Sequence, residues 1–238
     1  MDEPGRSDHK KKKKKVLITG CGRSGTKYIA FVLRRLGLDA PHESVGKDGS
    51  VSWCMAVDAD WTPFGESCRG YEFEHIFHQV RHPLAVMASV QTFKETSWRF
   101  ICEHTAVSMR EPLPIRCATY WYYWNLEVEK IAQWRYRIED FRLIYSNFCN
   151  RLQINADQSV IEKLPVDVNT RKRGRAFHIY EELCERLHLN SSPAIGKWIS
   201  FGSKPRNQEA LTWDKLDAID PDWCKRVKAK AIEYGYRV

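Results

Sequence analysis

Residues 16–36, VLITGCGRSGTKYIAFVLRRL, restrict the fold more than any other part of the chain. A short apolar run at 16–19 leads into a glycine-rich turn at 20–25, and a helical pattern begins at Thr26. A strand, a glycine loop and a helix in this order form an anion cradle. Glycines permit a tight turn whose N–H groups converge, and the helix adds the positive end of its dipole. The segment therefore predicts a site for phosphate or a similar anion.

The loop nearly matches the nucleotide-binding pattern GxxxxGK[ST], but its last two positions are reversed. Gly20 and Gly25 have the required spacing, whereas Thr26 precedes Lys27. In nucleotide hydrolases and kinases, the lysine directly after the glycine reaches the β- and γ-phosphates, and the next hydroxyl holds Mg²⁺. Here a cation comes earlier in the loop, at Arg23. This order disfavours a P-loop kinase of a nucleoside or small metabolite, which remains one alternative, with a non-catalytic nucleotide-binding domain as another.

A second anion contact is predicted about 60 residues later. Residues 74–80 read as a strand, Arg81 follows them, and Pro83 suits the first turn of a helix, where a missing N–H costs nothing. Ser89 lies eight residues after Arg81, on the second turn of that helix. The two side chains can therefore face one anion.

Together the two motifs resemble those of PAPS-dependent sulfotransferases, where PAPS is 3′-phosphoadenosine 5′-phosphosulfate. In that family a cation-Ser-Gly-Thr loop holds the 5′-phosphosulfate, and an arginine at a strand end, with a serine eight residues later, grips the 3′-phosphate. The resemblance covers residues 16 to about 150 and is loose over 155–205. It implies in-line transfer of a sulfuryl group from PAPS to a hydroxyl acceptor, with PAP as product and no metal.

The resemblance also implies roles for individual residues. Arg23 takes the position of the family's catalytic lysine and would stabilise the bridging oxygen and leaving group. Arg81 and Ser89 would hold the 3′-phosphate. The loop residues implied in binding the 5′-phosphosulfate are Arg23, Ser24, Gly25, Thr26, Lys27 and Tyr28, through their backbone N–H groups from 24 to 28 and the Thr26 hydroxyl.

A late basic loop is expected to supply a third anion contact. Arg171 and Lys172 echo the R-K-G element of cytosolic family members, and the pair Lys204 and Arg206 competes for the same role.

The base that deprotonates the acceptor is one of two neighbouring residues. Cytosolic small-molecule sulfotransferases use a histidine, whereas protein-tyrosine and heparan types use a glutamate. Here His42 and Glu43 follow the first helix, and the glutamate of tyrosine-type enzymes lies at a similar distance after the loop. We expect Glu43 to be the base, with His42 as the alternative and a loop pair without a catalytic role as the third option.

Alternating strand and helix signals predict a P-loop-type α/β fold, a three-layer αβα arrangement with a mainly parallel central sheet. A single domain is expected over residues 16–238. Its later elements are predicted as a helix at 117–134, a short strand at 136–138 followed by a helix, and helices at 176–187, 211–216 and 221–234.

Charge and cysteine usage bear on the partners of the protein and on its cellular compartment. Half of the net charge of +8 lies in residues 1–15, which have no apolar residue after Met1 and are predicted to be a disordered basic tail. The lysine run at 10–15 allows weak contact with anionic membranes, and no nucleic-acid partner is expected. Eight scattered cysteines, without a signal peptide or a membrane span, favour the cytoplasm. The acceptor is expected to be a hydroxyl of a small molecule, carbohydrate or protein.

Overall fold

A computed structural model of the chain describes residues 11–163 and 210–238. They belong to one compact unit, from which residues 165–208 are excluded. The prediction of a single domain over 16–238 therefore stays a prediction. The described elements are β1 (Lys12–Thr19), α1 (Thr26–Arg35), β2 (Gly49–Val51), β3 (Tyr71–Val80), α2 (Pro83–Val90), α3 (Glu95–His104), α4 (Leu113–Glu129), β4 (Trp134–Arg137), α5 (Phe141–Arg151), α6 (Gln158–Lys163), α7 (Trp213–Ile219) and α8 (Pro221–Glu233).

The four described strands form a parallel sheet in the order β2-β1-β3-β4. The chain leaves β1 through α1 and returns as β2 on one side of β1, and then crosses to β3 on the other side. The strand order thus reverses at β1. In open α/β sheets a ligand crevice lies at such a reversal, outside the carboxyl ends of the strands. The glycine loop follows β1 at this point.

Helices cover both faces of the sheet, and β1 alternates its side chains between them, with Leu17 packing against Met55 and Phe73 on the face opposite Val16 and Ile18. Val16 and Ile18 belong to a core with residues of α1 and α5, including Ile29 and Phe148. On the other face, α2, α4 and α8 contribute to a second core, whose largest fully buried side chains are Trp121 and Trp124. The predicted three-layer α/β fold of P-loop type with a parallel sheet is confirmed.

Most predicted elements of the described residues appear with shifted ends. The strand predicted at 74–80 begins earlier, at Tyr71, and Pro83 is the first residue of α2 as expected. The predicted helix at 117–134 corresponds to α4, which begins at Leu113 and ends at Glu129. The predicted helix at 176–187 lies outside the described residues.

The basic segment before the apolar strand differs from the prediction. The sequence places residues 1–15 in a disordered tail, whereas β1 begins at Lys12. The physical reason is the length of β3, which offers pairing partners to this segment. Lys13 lies opposite Glu72, and Nζ of Lys14 donates to the carbonyl oxygen of Gly46 at 2.7 Å. Residues 1–10 lie outside the described residues.

None of the helices within 11–163 and 210–238 is both long enough and apolar enough to cross a membrane.

Candidate active site

The glycine loop lies tightly against β3 because Gly20 has no side chain. A Cβ atom at this position would collide with the carbonyl oxygen of Gln79. At the other end of the loop, Gly25 adopts a φ of 97° as it precedes the first residue of α1. This left-handed conformation is one that glycine adopts without steric cost. The two glycines therefore allow the chain to turn sharply from β1 into α1.

The start of α1 leaves backbone donors available for an anion. The N–H groups of Gly25, Thr26 and Lys27 have no backbone acceptor in the described part of the chain. The sequence also included Ser24 and Tyr28 in this set, but their N–H groups donate to the carbonyl oxygens of Cys21, at 3.1 Å, and Gly25, at 2.9 Å. α1 is ten residues long, so its dipole adds positive potential at the same place.

Two exposed cations belong to the loop and the first turn of the helix. Arg23 and Lys27 are both exposed. Arg23 has a φ of 72°, and its guanidinium carbon lies 5.4 Å from the centre of the Phe93 ring. Its Nη2 atom lies 3.5 Å from Oγ1 of Thr92. The Arg23 side chain is thus directed along the segment that follows α2.

The predicted 3′-phosphate residues lie next to the loop. Nη1 of Arg81 donates to the carbonyl oxygen of Arg23 at 2.9 Å. Ser89 is buried on α2, and its carbonyl oxygen accepts a hydrogen bond from Thr92 at 2.9 Å. Thr92 also contacts Arg23, so the end of α2 that carries Ser89 lies beside the glycine loop.

The segment that carries His42 and Glu43 runs beside the end of β2. Val51 donates its backbone N–H to Pro41, and Glu43 donates its own to Val51, at 2.9 and 3.0 Å. β2 pairs in turn with β1, directly before the glycine loop. As a result, Nε2 of His42 lies 2.9 Å from Oγ1 of Thr26.

Glu43 is a buried acid whose surroundings shift its pKa strongly. Only 8% of the residue is exposed, and its φ is 57°. Ser52 donates its hydroxyl to Oε2 of Glu43 at 2.6 Å, and the backbone N–H of Trp53 donates to the same carboxyl group. Burial raises the pKa of Glu43 to about 7, although these donors and the nearby cations Lys27 and Arg23 lower it. Near neutral pH, this carboxyl group is therefore able to take up and release a proton.

His42 differs from Glu43 in its protonation. Burial, together with the positive charges of Lys27 and Arg23, lowers the pKa of His42 to about 3. The imidazole is therefore neutral at neutral pH, and its 3.4 Å contact with Oε1 of Glu43 is not an ion pair there. Of the two candidates for the base, Glu43 titrates in the physiological range.

Several residues of the site were not singled out in the sequence. The hydroxyl of Tyr120, on α4, accepts a hydrogen bond from the N–H of Gly22 at 2.7 Å. The amide nitrogen of Gln79 donates to the carbonyl oxygen of Ser24 at 2.9 Å. One signal was available: Gln79 is a polar residue near the end of a strand whose last four residues are buried. No comparable signal marks Tyr120, which lies in an aromatic helix.

The predicted third anion contact falls outside the described residues. This applies both to Arg171 and Lys172 and to the competing pair, Lys204 and Arg206.

Among the solved structures to which this chain is similar is a sulfotransferase domain. It is the sulfotransferase domain of the olefin synthase from Synechococcus PCC 7002, with 12% identity and a TM-score of 0.46 over 100% of both chains. No family model matches the chain, and no curated protein matches it. The functional assignment therefore rests on the residues of the site.

Proposed function

We propose that this chain is a sulfotransferase that moves a sulfuryl group from PAPS to a hydroxyl acceptor by in-line transfer. One observation carries the proposal. Three segments that are distant in sequence meet at the carboxyl edge of the sheet, and they bring the loop cation Arg23, the strand-end cation Arg81 and the acid Glu43 into one region.

The donors of this region suit a ligand with two separate anionic groups. The free N–H groups at the start of α1, with the exposed cations Arg23 and Lys27, match a phosphosulfate. Arg81, with Ser89 on the following helix, offers a second anion contact, which matches the 3′-phosphate. When bound, PAPS would supply an activated sulfuryl group.

The chain's own residues supply the remaining chemistry. Glu43, with its pKa of about 7, would accept the proton of the acceptor hydroxyl. Arg23 keeps its proton in a protein, so it would stabilise negative charge on the leaving phosphate rather than transfer a proton. The neutral imidazole of His42, hydrogen bonded to Thr26, would hold the threonine hydroxyl beside the bound anion.

The kinase alternative is weakened by the positions of the acids at the same edge of the sheet. Glu139 and Asp140 follow β4, but Glu139 accepts hydrogen bonds from the backbone of His82 and the hydroxyl of Tyr236. Asp140 pairs with Arg137. Neither acid is therefore placed as the Mg²⁺ ligand that phosphoryl transfer from ATP requires.

The acceptor is proposed to be a hydroxyl of a small molecule, carbohydrate or protein. The cytoplasm is the proposed compartment. All seven cysteines of the described residues are free thiols, in keeping with a reducing environment.

The test is transfer of labelled sulfate from PAPS to a panel of sugar, phenol, steroid and peptide hydroxyls, without added Mg²⁺. We expect labelled product from wild type, severe loss in Arg23→Ala and a milder loss in Arg23→Lys, which keeps a cation. Transfer of phosphate from ATP with Mg²⁺, and no sulfate transfer, would establish the kinase alternative. Binding of nucleotide without either transfer would favour the non-catalytic domain.

A further inference from the structure

Three consecutive loop residues are each held by a side chain from elsewhere in the chain. Gly22 donates its N–H to the hydroxyl of Tyr120 at 2.7 Å, and Ser24 accepts from Gln79 at 2.9 Å. Between them, the carbonyl oxygen of Arg23 accepts from Arg81 at 2.9 Å. α4 and β3 therefore fix the loop on both sides of Arg23.

A further residue orients Gln79. The hydroxyl of Tyr136, on β4, donates to Oε1 of Gln79 at 2.7 Å. Because the carbonyl end of the Gln79 amide is occupied in this way, its NH₂ group must face Ser24. Gln79 is fully buried and Tyr136 nearly so, which leaves no water to compete for these bonds.

Arg23 itself has an unfavourable backbone conformation. Its φ of 72° lies in the left-handed region, which a non-glycine residue adopts only when its surroundings impose it. The neighbouring Gly22 packs closely against the aromatic core, where a side chain has no room. An added Cβ there would lie 2.7 Å from Phe93 and 3.2 Å from the Tyr120 hydroxyl. The conformation of Arg23 thus depends on the hydrogen bonds that hold its two neighbours.

We propose that Tyr120 and Gln79 are positioning residues that hold Arg23 in its left-handed conformation and so direct its guanidinium towards the transferred group. The inference rests on the proposed function for the role of Arg23. The fixed geometry of the loop is a separate claim, which is testable without any ligand. Neither Tyr120 nor Gln79 needs to touch the substrates, since each acts through the backbone of the loop.

The test compares Tyr120→Phe with Tyr145→Phe. Both substitutions remove one hydroxyl from a buried tyrosine, but the Tyr145 hydroxyl donates to the backbone carbonyl oxygen of Asp157 rather than contacting the glycine loop. Hydrogen exchange without ligand should become at least about tenfold faster at the Gly22 amide in Tyr120→Phe and stay unchanged there in Tyr145→Phe. Loss of the single hydrogen bond should weaken PAP binding about threefold to tenfold in the first variant only.

Gln79→Met and Tyr136→Phe keep the proposal testable if Tyr120→Phe does not fold. Both should lower kcat with little change in the acceptor KM. Their double variant should be no worse than Gln79→Met alone, because Tyr136 acts through Gln79.

The possible outcomes separate the two claims. Exchange at Gly22 that is equal in Tyr120→Phe and wild type, or a wild-type kcat in Gln79→Met, would overturn the positioning role. If wild type binds no PAP, but amide exchange at Gly22 is faster in Tyr120→Phe and unchanged in Tyr145→Phe, the proposed function is refuted and the fixed geometry of the loop is established.

Discussion

Arg23 and Glu43, the proposed leaving-group stabiliser and base, both have left-handed backbones. In the part of the chain that the structure describes, Gln153 is the other non-glycine residue with a positive φ. Such a conformation costs about 1–3 kcal/mol, so it persists only where surrounding contacts impose it. Strained residues of this kind concentrate at functional sites. Their coincidence with two residues chosen from motifs alone supports both assignments.

The substitution Glu43→Gln tests whether Glu43 is the base that deprotonates the acceptor. The carboxylate is the active form, so wild-type kcat/KM should rise with pH through about 7, the pKa that burial gives Glu43. The amide keeps the shape of the side chain but accepts no proton. We expect it to lower kcat about 10²–10⁴-fold, to abolish the rise near pH 7 and to leave PAP affinity close to wild type.

His42→Ala is the matched comparison in the same pH–rate measurement. It should retain the rise near pH 7, because the pKa of His42 is lowered to about 3 by burial. An active Glu43→Gln and an inactive His42→Ala would transfer the role of base to His42.

The same carboxyl group predicts a pH-dependent change in stability. The pKa of Glu43 is raised on folding, mainly by burial, so the native state binds the proton more tightly than the unfolded chain. Its contribution to stability is fully present below about pH 4.5 and is lost as the pH rises through about 7. Between pH 5 and 8, the free energy of unfolding of Glu43→Gln should therefore gain roughly 1–3 kcal/mol relative to wild type. The measurement is denaturant titration of wild type and Glu43→Gln at pH 5 and pH 8. A difference in free energy of unfolding that is the same at both pH values would contradict the raised pKa.

At the scale of elements, the β1-loop-α1 unit was predictable from sequence because its signals are local. Glycine spacing and the helical pattern after Thr26 both lie within residues 16–36. The contact between Gly22 and Tyr120 was not predictable, since it joins residues 98 positions apart and depends on how α4 packs. The position of Lys12 in a strand was also missed, because a run of lysines gives no strand signal without knowledge of the partner strand.

Shortening β1 tests whether the strand begins at Lys12, within the segment predicted to be a tail. Deletion of residues 1–14 removes the pairing of Lys12 and Lys13 with β3 and the hydrogen bonds of Lys14 to the loop after α1. The loss should be about 1–3 kcal/mol, which corresponds to a fall in Tm of about 2–10 °C. Deletion of residues 1–10 is the control and should leave Tm unchanged by calorimetry. Equal Tm values for both deletions would show that this part of β1 adds no stability.

At the scale of the whole molecule, the strand order brings the site together. The reversal at β1 sets the glycine loop between the end of β2, with Glu43 beside it, and the end of β3, with Arg81. The sequence predicted the two motifs and a parallel sheet, and these imply that the strand ends share one edge. It did not predict which loop amides would be free, because that depends on turns inside the loop. It also did not predict the burial that shifts the pKa of Glu43.

The central claim is that this edge of the sheet recognises a nucleotide by its 3′-phosphate. The most direct measurement is calorimetric titration of PAP and ADP without Mg²⁺, since both carry two phosphates but only PAP has one at the 3′ position. Arg81 also donates a hydrogen bond to the carbonyl oxygen of Arg23, so Arg81→Ala should lower the affinity for both nucleotides. The ratio of the two affinities then isolates the contribution of the 3′-phosphate. We predict that wild type binds PAP about tenfold or more tighter than ADP, and that Arg81→Ala removes most of this preference. Equal affinity for the two nucleotides, or a preference for PAP that survives in Arg81→Ala, would contradict the account.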